Sequence, residues 1–167
     1  MRIELIEKTL ARIDQNIMMA NLKASFIMSA NIIIIVLAMS GYKTCLEMLG
    51  NNRTAVTAAF FIMIVASVAS LIMCLKVVIA FLASGNMPEK YRSVIYFGSI
   101  SGMSLYEYKE RIDKISEEEI LEDYIRQIHL LSAALIKKYI YINASIYLFV
   151  MTPLTCLILF IIKLFAA

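Results

Sequence analysis

The chain has 167 residues, 61% of them hydrophobic, with a mean hydropathy of +0.78 and a formal net charge of +3. Soluble domains run nearer ~45–50% apolar, so an ordinary water-soluble fold is excluded. With one histidine and three cysteines in no CxxC pattern, a zinc site is excluded as well.

In chain order, residues 2–23 come first. Ile3, Ile6, Leu10, Ile13, Ile17, Ala20 and Ala24 are spaced 3-4-3-4-3-4, a heptad seam on a helix, with Glu4 and Lys8 paired one turn apart. The seam serves either packing within the chain or assembly between copies. This helix is expected to continue into the first uncharged run, 24–40, with Lys23 at the water boundary. Gly41 is expected to end that span, and "GNNR" (50–53) reads as a turn.

A second uncharged run covers 54–75, and a third covers 139–162. A bilayer core needs about 20 helical residues, with roughly 17–25 the usual range, so each run is read as a transmembrane helix. The apolar stretch 54–84 would reach roughly 46 Å as a helix, too long for hydrocarbon alone. Lys76 therefore snorkels at the interface, or else faces a pore. Lysine and arginine set the orientation: Arg2, Lys8, Arg12 and Lys23 precede the first span, and eight basic residues fall in 85–138. The short 41–53 connection has only Lys43 and Arg53. By the positive-inside rule the N-terminus and the long segment are cytoplasmic. Nine acids balance that segment's eight bases, so it is no polybasic patch.

Within the long segment "SGNMPEK" (84–90) is a loop, and "SVIYFGSISGMS" (93–104) fits neither helix nor strand cleanly. "SLYEYKERIDK" (104–114) reads as a short helix. Ser116 with Glu119 forms a capping box that opens a longer one. Its seam is Leu121, Tyr124, Ile128, Leu131, Leu135 and Ile142, with Lys138 in the position between the last two. Asp123 and Gln127 fall on the polar side, one turn apart, able to share a network. Glu122 and Arg126 make an i,i+4 pair. The helix runs without Gly or Pro into the third span, where Pro153 should bend it.

No phosphate loop, Ser-His-acid set or intramembrane Asp pair is present, so no catalytic residue is expected. His129 is either a hydrogen-bonding residue at the edge of a packed face or a ligand contact. Lys137 and Lys138 are either interface anchors or contacts to an anion. Tyr91, Tyr96, Tyr106, Tyr108 and Tyr124 lie among Lys90, Arg92, Arg111 and Arg126. Aromatic faces suit a base and guanidinium groups suit a phosphate, although tyrosine also fills small cores.

Three blocks resemble the Pycsar transmembrane effector family. "NLKASFIMSANIIIIVLA" (21–38) is similar to its D-x-K-A opening, and "YFGSI" (96–100) to its aromatic-Phe-Gly-x-Ile block. "SLYEYKERIDKISEEEILEDYIRQIHLLSAALIKKY" (104–139) resembles the block that carries Asp123, Gln127, Ile128, His129, Lys138 and Tyr139. Asn21 stands where the family usually shows Asp, and Ser99 where a second His is common. The resemblance implies an antiphage effector of the bacterial inner membrane. It would respond to cyclic UMP or cyclic CMP made by a partner cyclase, impair the membrane and stop growth.

The expectation is an all-α integral membrane protein with three transmembrane helices and a small cytoplasmic helical module. The divisions are a cytoplasmic amphipathic helix (1–23), transmembrane helices at 24–42, 54–76 (extending to about 84) and 139–162, and the cytoplasmic module (85–138). Ligand contacts are expected from Arg92, Tyr96, Arg126, Gln127, His129 and Lys138, with no catalytic residue, metal or cofactor. Expected partners are the cyclic nucleotide, membrane lipid and further copies of the chain, with no nucleic-acid polymer. The competing readings are a constitutive pore, a scaffolding membrane protein, or a sibling effector gated by a cyclic oligonucleotide.

Overall fold

A computed structural model describes residues 2–48, 53–79 and 93–166, and every regular element among them is helical. The order is α1 (Arg2–Met48), α2 (Arg53–Ile79), α3 (Phe97–Ser101), α4 (Leu105–Lys114) and α5 (Glu117–Ala166). Three helices, α1, α2 and α5, are long and apolar enough to cross a membrane. At about 1.5 Å per residue, α1 and α5 each exceed twice the roughly 30 Å of a hydrocarbon core. The chain is an all-α membrane protein.

Helix starts follow local chemistry. Ser104 caps α4, with its hydroxyl taking the Glu107 N–H while the Glu107 carboxylate takes the Ser104 N–H at 2.8 Å. Ser116 and Glu119 repeat the box at the head of α5 (3.1 and 3.2 Å). Gly41 does not end α1, which runs on to Met48. A lone glycine costs a helix about 1 kcal/mol, far less than exposing unpaired backbone groups to hydrocarbon. In α5 Pro153 removes one N–H, and the Thr152 hydroxyl donates to the Phe149 carbonyl that this N–H would have served. The 93–104 stretch resolves into the five-residue α3, its N-terminal turn closed by Ser99 and Ile100 N–H bonds to the Tyr96 carbonyl (3.0 Å each). The 84–90 loop, the extension of α2 beyond Ile79 and most of "GNNR" lie outside the described residues.

The chain divides into two units. One comprises Ala20–Ile79 and Lys138–Ala167. Its α2 buries Val56, Phe60, Met63, Ser67, Ser70, Cys74 and Val77, a strict 4-3-4-3-4-3 heptad. From α1 it buries Ala20, Ala24, Ile27, Asn31 and Ala38, and from α5 Lys138, Ile142, Ser145 and Thr152, on the same repeat. Small residues in these seams let helix backbones approach closely, the rule for helix packing in lipid. The outward faces carry Phe26, Ile33, Val36, Phe61, Val65, Ile140 and Tyr147, all exposed. Towards the α1–α2 connection, Ala38, Val56, Phe60 and Met63 pack with Tyr42, Cys45 and Leu46. The Tyr42 ring meets Phe60 edge-on at 5.2 Å, and its hydroxyl bonds Thr57 at 3.1 Å.

The other unit comprises Met1–Met19 and Ala80–Lys137. In α1 the predicted seam turns inward from its second member on, with Ile13 buried and Ile6, Leu10 and Ile17 half-buried, while Ile3 is exposed. In α5 the inward row differs from the expected one. Asp123 and Gln127 are its most buried residues, at 2% and 6% exposure, while Tyr124, Ile128, Leu131 and Leu135 are half-buried beside them. A seam drawn only through apolar residues misses a row whose deepest positions are polar.

Candidate functional site

Asp123 organises one polar cluster. Its Oδ2 accepts the Ser93 hydroxyl and the Val94 N–H, both at 2.9 Å. Ser93 Oγ in turn accepts the N–H groups of Ile95 (3.1 Å) and Tyr96 (2.8 Å). One carboxylate oxygen thus fixes, through one hydroxyl, the turn that leads into α3. The Tyr108 hydroxyl closes the turn from the other side by donating to the Val94 carbonyl at 3.2 Å. Two atoms of this buried row have no hydrogen-bond partner among the described residues, Asp123 Oδ1 and Gln127 Nε2. They sit one helical turn apart on α5, an acceptor beside a donor.

Tyr96 is the N-cap of α3 through its extended backbone and not through a side-chain capping bond, and its ring lies 4.8 Å from that of Phe97. A Cβ on Gly98 would fall 2.5 Å from Tyr96 Cε1, so the ring needs a glycine there to lie where it does. Phe97 is exposed.

Lys138 centres a second cluster in the unit formed by Ala20–Ile79 and Lys138–Ala167. Its side chain, 1% exposed, donates to Asn21 Oδ1 at 2.9 Å and to the Val77 carbonyl. One ammonium from α5 therefore binds a side chain of α1 and the backbone of α2 at Val77. Deeper along the same seams, Asn31 Nδ2 donates to the Ile27 carbonyl and to Ser70 Oγ, both at 3.0 Å. Ser70 passes the chain on to the Ser145 carbonyl at 2.9 Å. The three long helices are thus joined by hydrogen bonds at two levels. Lys23 and Lys76, both exposed, lie 5.8 and 5.7 Å from the ring centres of Tyr139 and Tyr141, respectively.

The six expected ligand contacts do not form one set. Arg92 lies outside the described residues. Tyr96 and Gln127 belong to the unit that holds Asp123, Tyr96 through Ser93 and Gln127 one turn along α5. Arg126 projects outward and pairs with Glu122 at 2.5 Å. His129 is exposed, which contradicts a buried hydrogen-bonding role, because position 129 turns away from the Asp123–Gln127 row. Lys138 belongs to the three-helix cluster and is no interface anchor, whereas its neighbour Lys137 is exposed. Asp123 and Gln127, read as the polar side of α5, form its inward row.

Sequence reasoning misses Ser93, Asn31, Ser70 and Ser145. The available signals were a lysine filling a heptad slot and an asparagine alone in an apolar run. Serines 67 and 70 at seam spacing in α2 were a third.

Neither curated proteins nor solved structures return a match to the chain. A family model described as the Pycsar effector protein domain matches residues 5–165, nearly the whole length and both units. The chain therefore belongs to the Pycsar effector family and is an antiphage defence effector carried on membrane-spanning helices.

Proposed function

We propose that the protein is a cyclic-nucleotide-gated effector that breaks the permeability barrier of the bacterial inner membrane and so stops growth. The observation that carries this reading is α5. It is a single helix from Glu117 to Ala166 whose first turns hold the Asp123–Gln127 row and whose later turns hold Lys138, Ser145 and Thr152 at the centre of the span-forming seams. A ligand bound among the first set acts on a helix that also supplies the second. Cyclic UMP or cyclic CMP from a partner cyclase is the proposed ligand, and the N-terminus and the 93–137 segment are proposed to face the cytoplasm, following the lysine and arginine distribution. No chemical turnover of the nucleotide is part of this reading.

Gating has an energetic requirement. Moving a two-state population from 1:99 to 99:1 takes roughly 5.5 kcal/mol of differential affinity. A single small nucleotide supplies part of that, so the active form is proposed to be a homo-oligomer in which several sites add. The test is dye leakage from proteoliposomes titrated with cyclic UMP, cyclic CMP and cyclic dinucleotides. Leakage rising steeply with one nucleotide is the expected result. Equal leakage with and without every nucleotide leaves a constitutive pore, and a response to cyclic dinucleotides alone identifies a sibling effector with a different messenger.

A further inference from the structure

Two buried polar atoms in the unit that holds α3 and α4 have no partner among the described residues, and each is costly. Leaving a buried donor or acceptor unsatisfied forfeits the hydrogen bond it made to water in the unfolded chain. Asp123 and Gln127 are 2% and 6% exposed, and the orphan atoms are a carboxylate oxygen and an amide nitrogen. No bond joins the two, and Asp123 cannot turn toward Gln127 without giving up the Ser93 hydroxyl and the Val94 N–H that hold its other oxygen. The carboxylate is thus held through one oxygen with the other unmatched, and Gln127 carries an unmatched donor one helical turn along α5.

An acceptor and a donor side by side are complementary to a planar group that presents an N–H next to a carbonyl oxygen or ring nitrogen. The Watson–Crick edge of a nucleobase has that pattern. We propose that Asp123 Oδ1 and Gln127 Nε2 read the base edge of the nucleotide, Asp123 accepting a base N–H and Gln127 donating to the neighbouring base acceptor. This rests on the nucleotide-gated reading above and gives it a recognition element. It also couples recognition to structure, since the carboxylate that meets the base is the one that holds the Ser93–Tyr96 turn through its second oxygen.

The pair can be tested with near-isosteric changes. In Asp123→Asn the amide oxygen still accepts from Ser93 and Val94, and the orphan acceptor becomes a donor. In Gln127→Glu the orphan donor becomes an acceptor. The experiment is calorimetric titration of the detergent-solubilised full-length protein with cyclic UMP, cyclic CMP, cyclic AMP and cyclic GMP. A 1-O-methyl ribose cyclic phosphate without a base serves as a fifth ligand. Each variant is expected to lose roughly tenfold or more in affinity for the nucleotide that wild type binds, because a mismatched polar pair is rejected strongly. Its affinity for the baseless analogue should match wild type. Unchanged nucleotide affinity in both variants overturns the base contact, as does an equal loss for the nucleotide and the baseless analogue, which marks a structural role only. Wild type that binds none of the four nucleotides overturns the nucleotide-gated reading and this inference with it.

Discussion

Both units bury polar side chains on the inward row of α5, but to different ends. Around Asp123 the hydrogen bonds are spent on one short turn, Ser93 to Tyr96, and they leave an acceptor and a donor unmatched. Around Lys138 and Asn31 they run from helix to helix, joining α1, α2 and α5 at two levels, with Asn31 Oδ1 and Ser67 Oγ left unmatched there. With the Asp123 unit facing the cytoplasm, as proposed above, the surroundings explain the difference. In water a turn can open at modest cost, since solvent takes over its hydrogen bonds. Between helices in lipid nothing replaces them, so polar groups in a seam fix which helices meet and at what register.

Substitutions that discriminate the two regimes sharpen this contrast. The largest effect is expected at Lys138. Lys138→Ala removes a charged donor from Asn21 and from the Val77 carbonyl and should cost about 1.5–3 kcal/mol. Thermal unfolding in detergent measures it, and an unchanged midpoint would break the claim that the ammonium ties three helices. Ser93→Ala should cost about 1–2 kcal/mol, because Asp123 keeps only the Val94 N–H and two further N–H groups lose their acceptor. Here the loss should fall on the turn. Hydrogen exchange should speed up at Val94–Tyr96 and stay unaltered at Ser70 and Ser145.

Asn31→Ala is expected to cost about 0.6 kcal/mol and no more than ~1.7, the range for hydrogen bonds between helices in lipid. A loss well beyond that would mean that Asn31 also serves a contact outside a single chain. The smallest effect belongs to Glu122 and Arg126, an exposed i,i+4 pair at 2.5 Å. A double-mutant cycle should give a coupling of about 0.3–0.5 kcal/mol that fades in high salt.

The apolar half of this architecture was legible from sequence, and the polar half was not. The α1 seam through Ile6, Leu10, Ile13, Ile17, Ala20 and Ala24 stood out because apolar residues recur against charged neighbours, and Ile13, Ala20 and Ala24 are buried. The same test succeeds only in part on α5, where Tyr124, Ile128, Leu131 and Leu135 are half-buried while the polar-side residues Asp123 and Gln127, one position away, are the most buried. In α2 almost every residue is apolar, so a hydrophobic period cannot appear. The heptad there shows as small and polar residues instead, in Ser67, Ser70 and Cys74. Lys138 was seen to occupy a seam slot, yet its partners come from Asn21 and Val77, 117 and 61 residues away in sequence, beyond any local pattern. The caps at Ser104 and Ser116 are the opposite case. Their partners lie three residues on, within reach of a local pattern.

Thr152 has a mechanical consequence. A proline inside a membrane helix leaves a carbonyl stranded in hydrocarbon, and the Thr152 hydroxyl captures the one that Pro153 strands. A hydroxyl on a rotatable side chain can follow its acceptor through a change of angle that a backbone N–H could not. The segment between Phe149 and Pro153 is therefore a joint, where α5 can flex with its oxygens still paired. About 33 residues of α5 lead up to this joint, among them the whole Asp123–Gln127 row and Lys138.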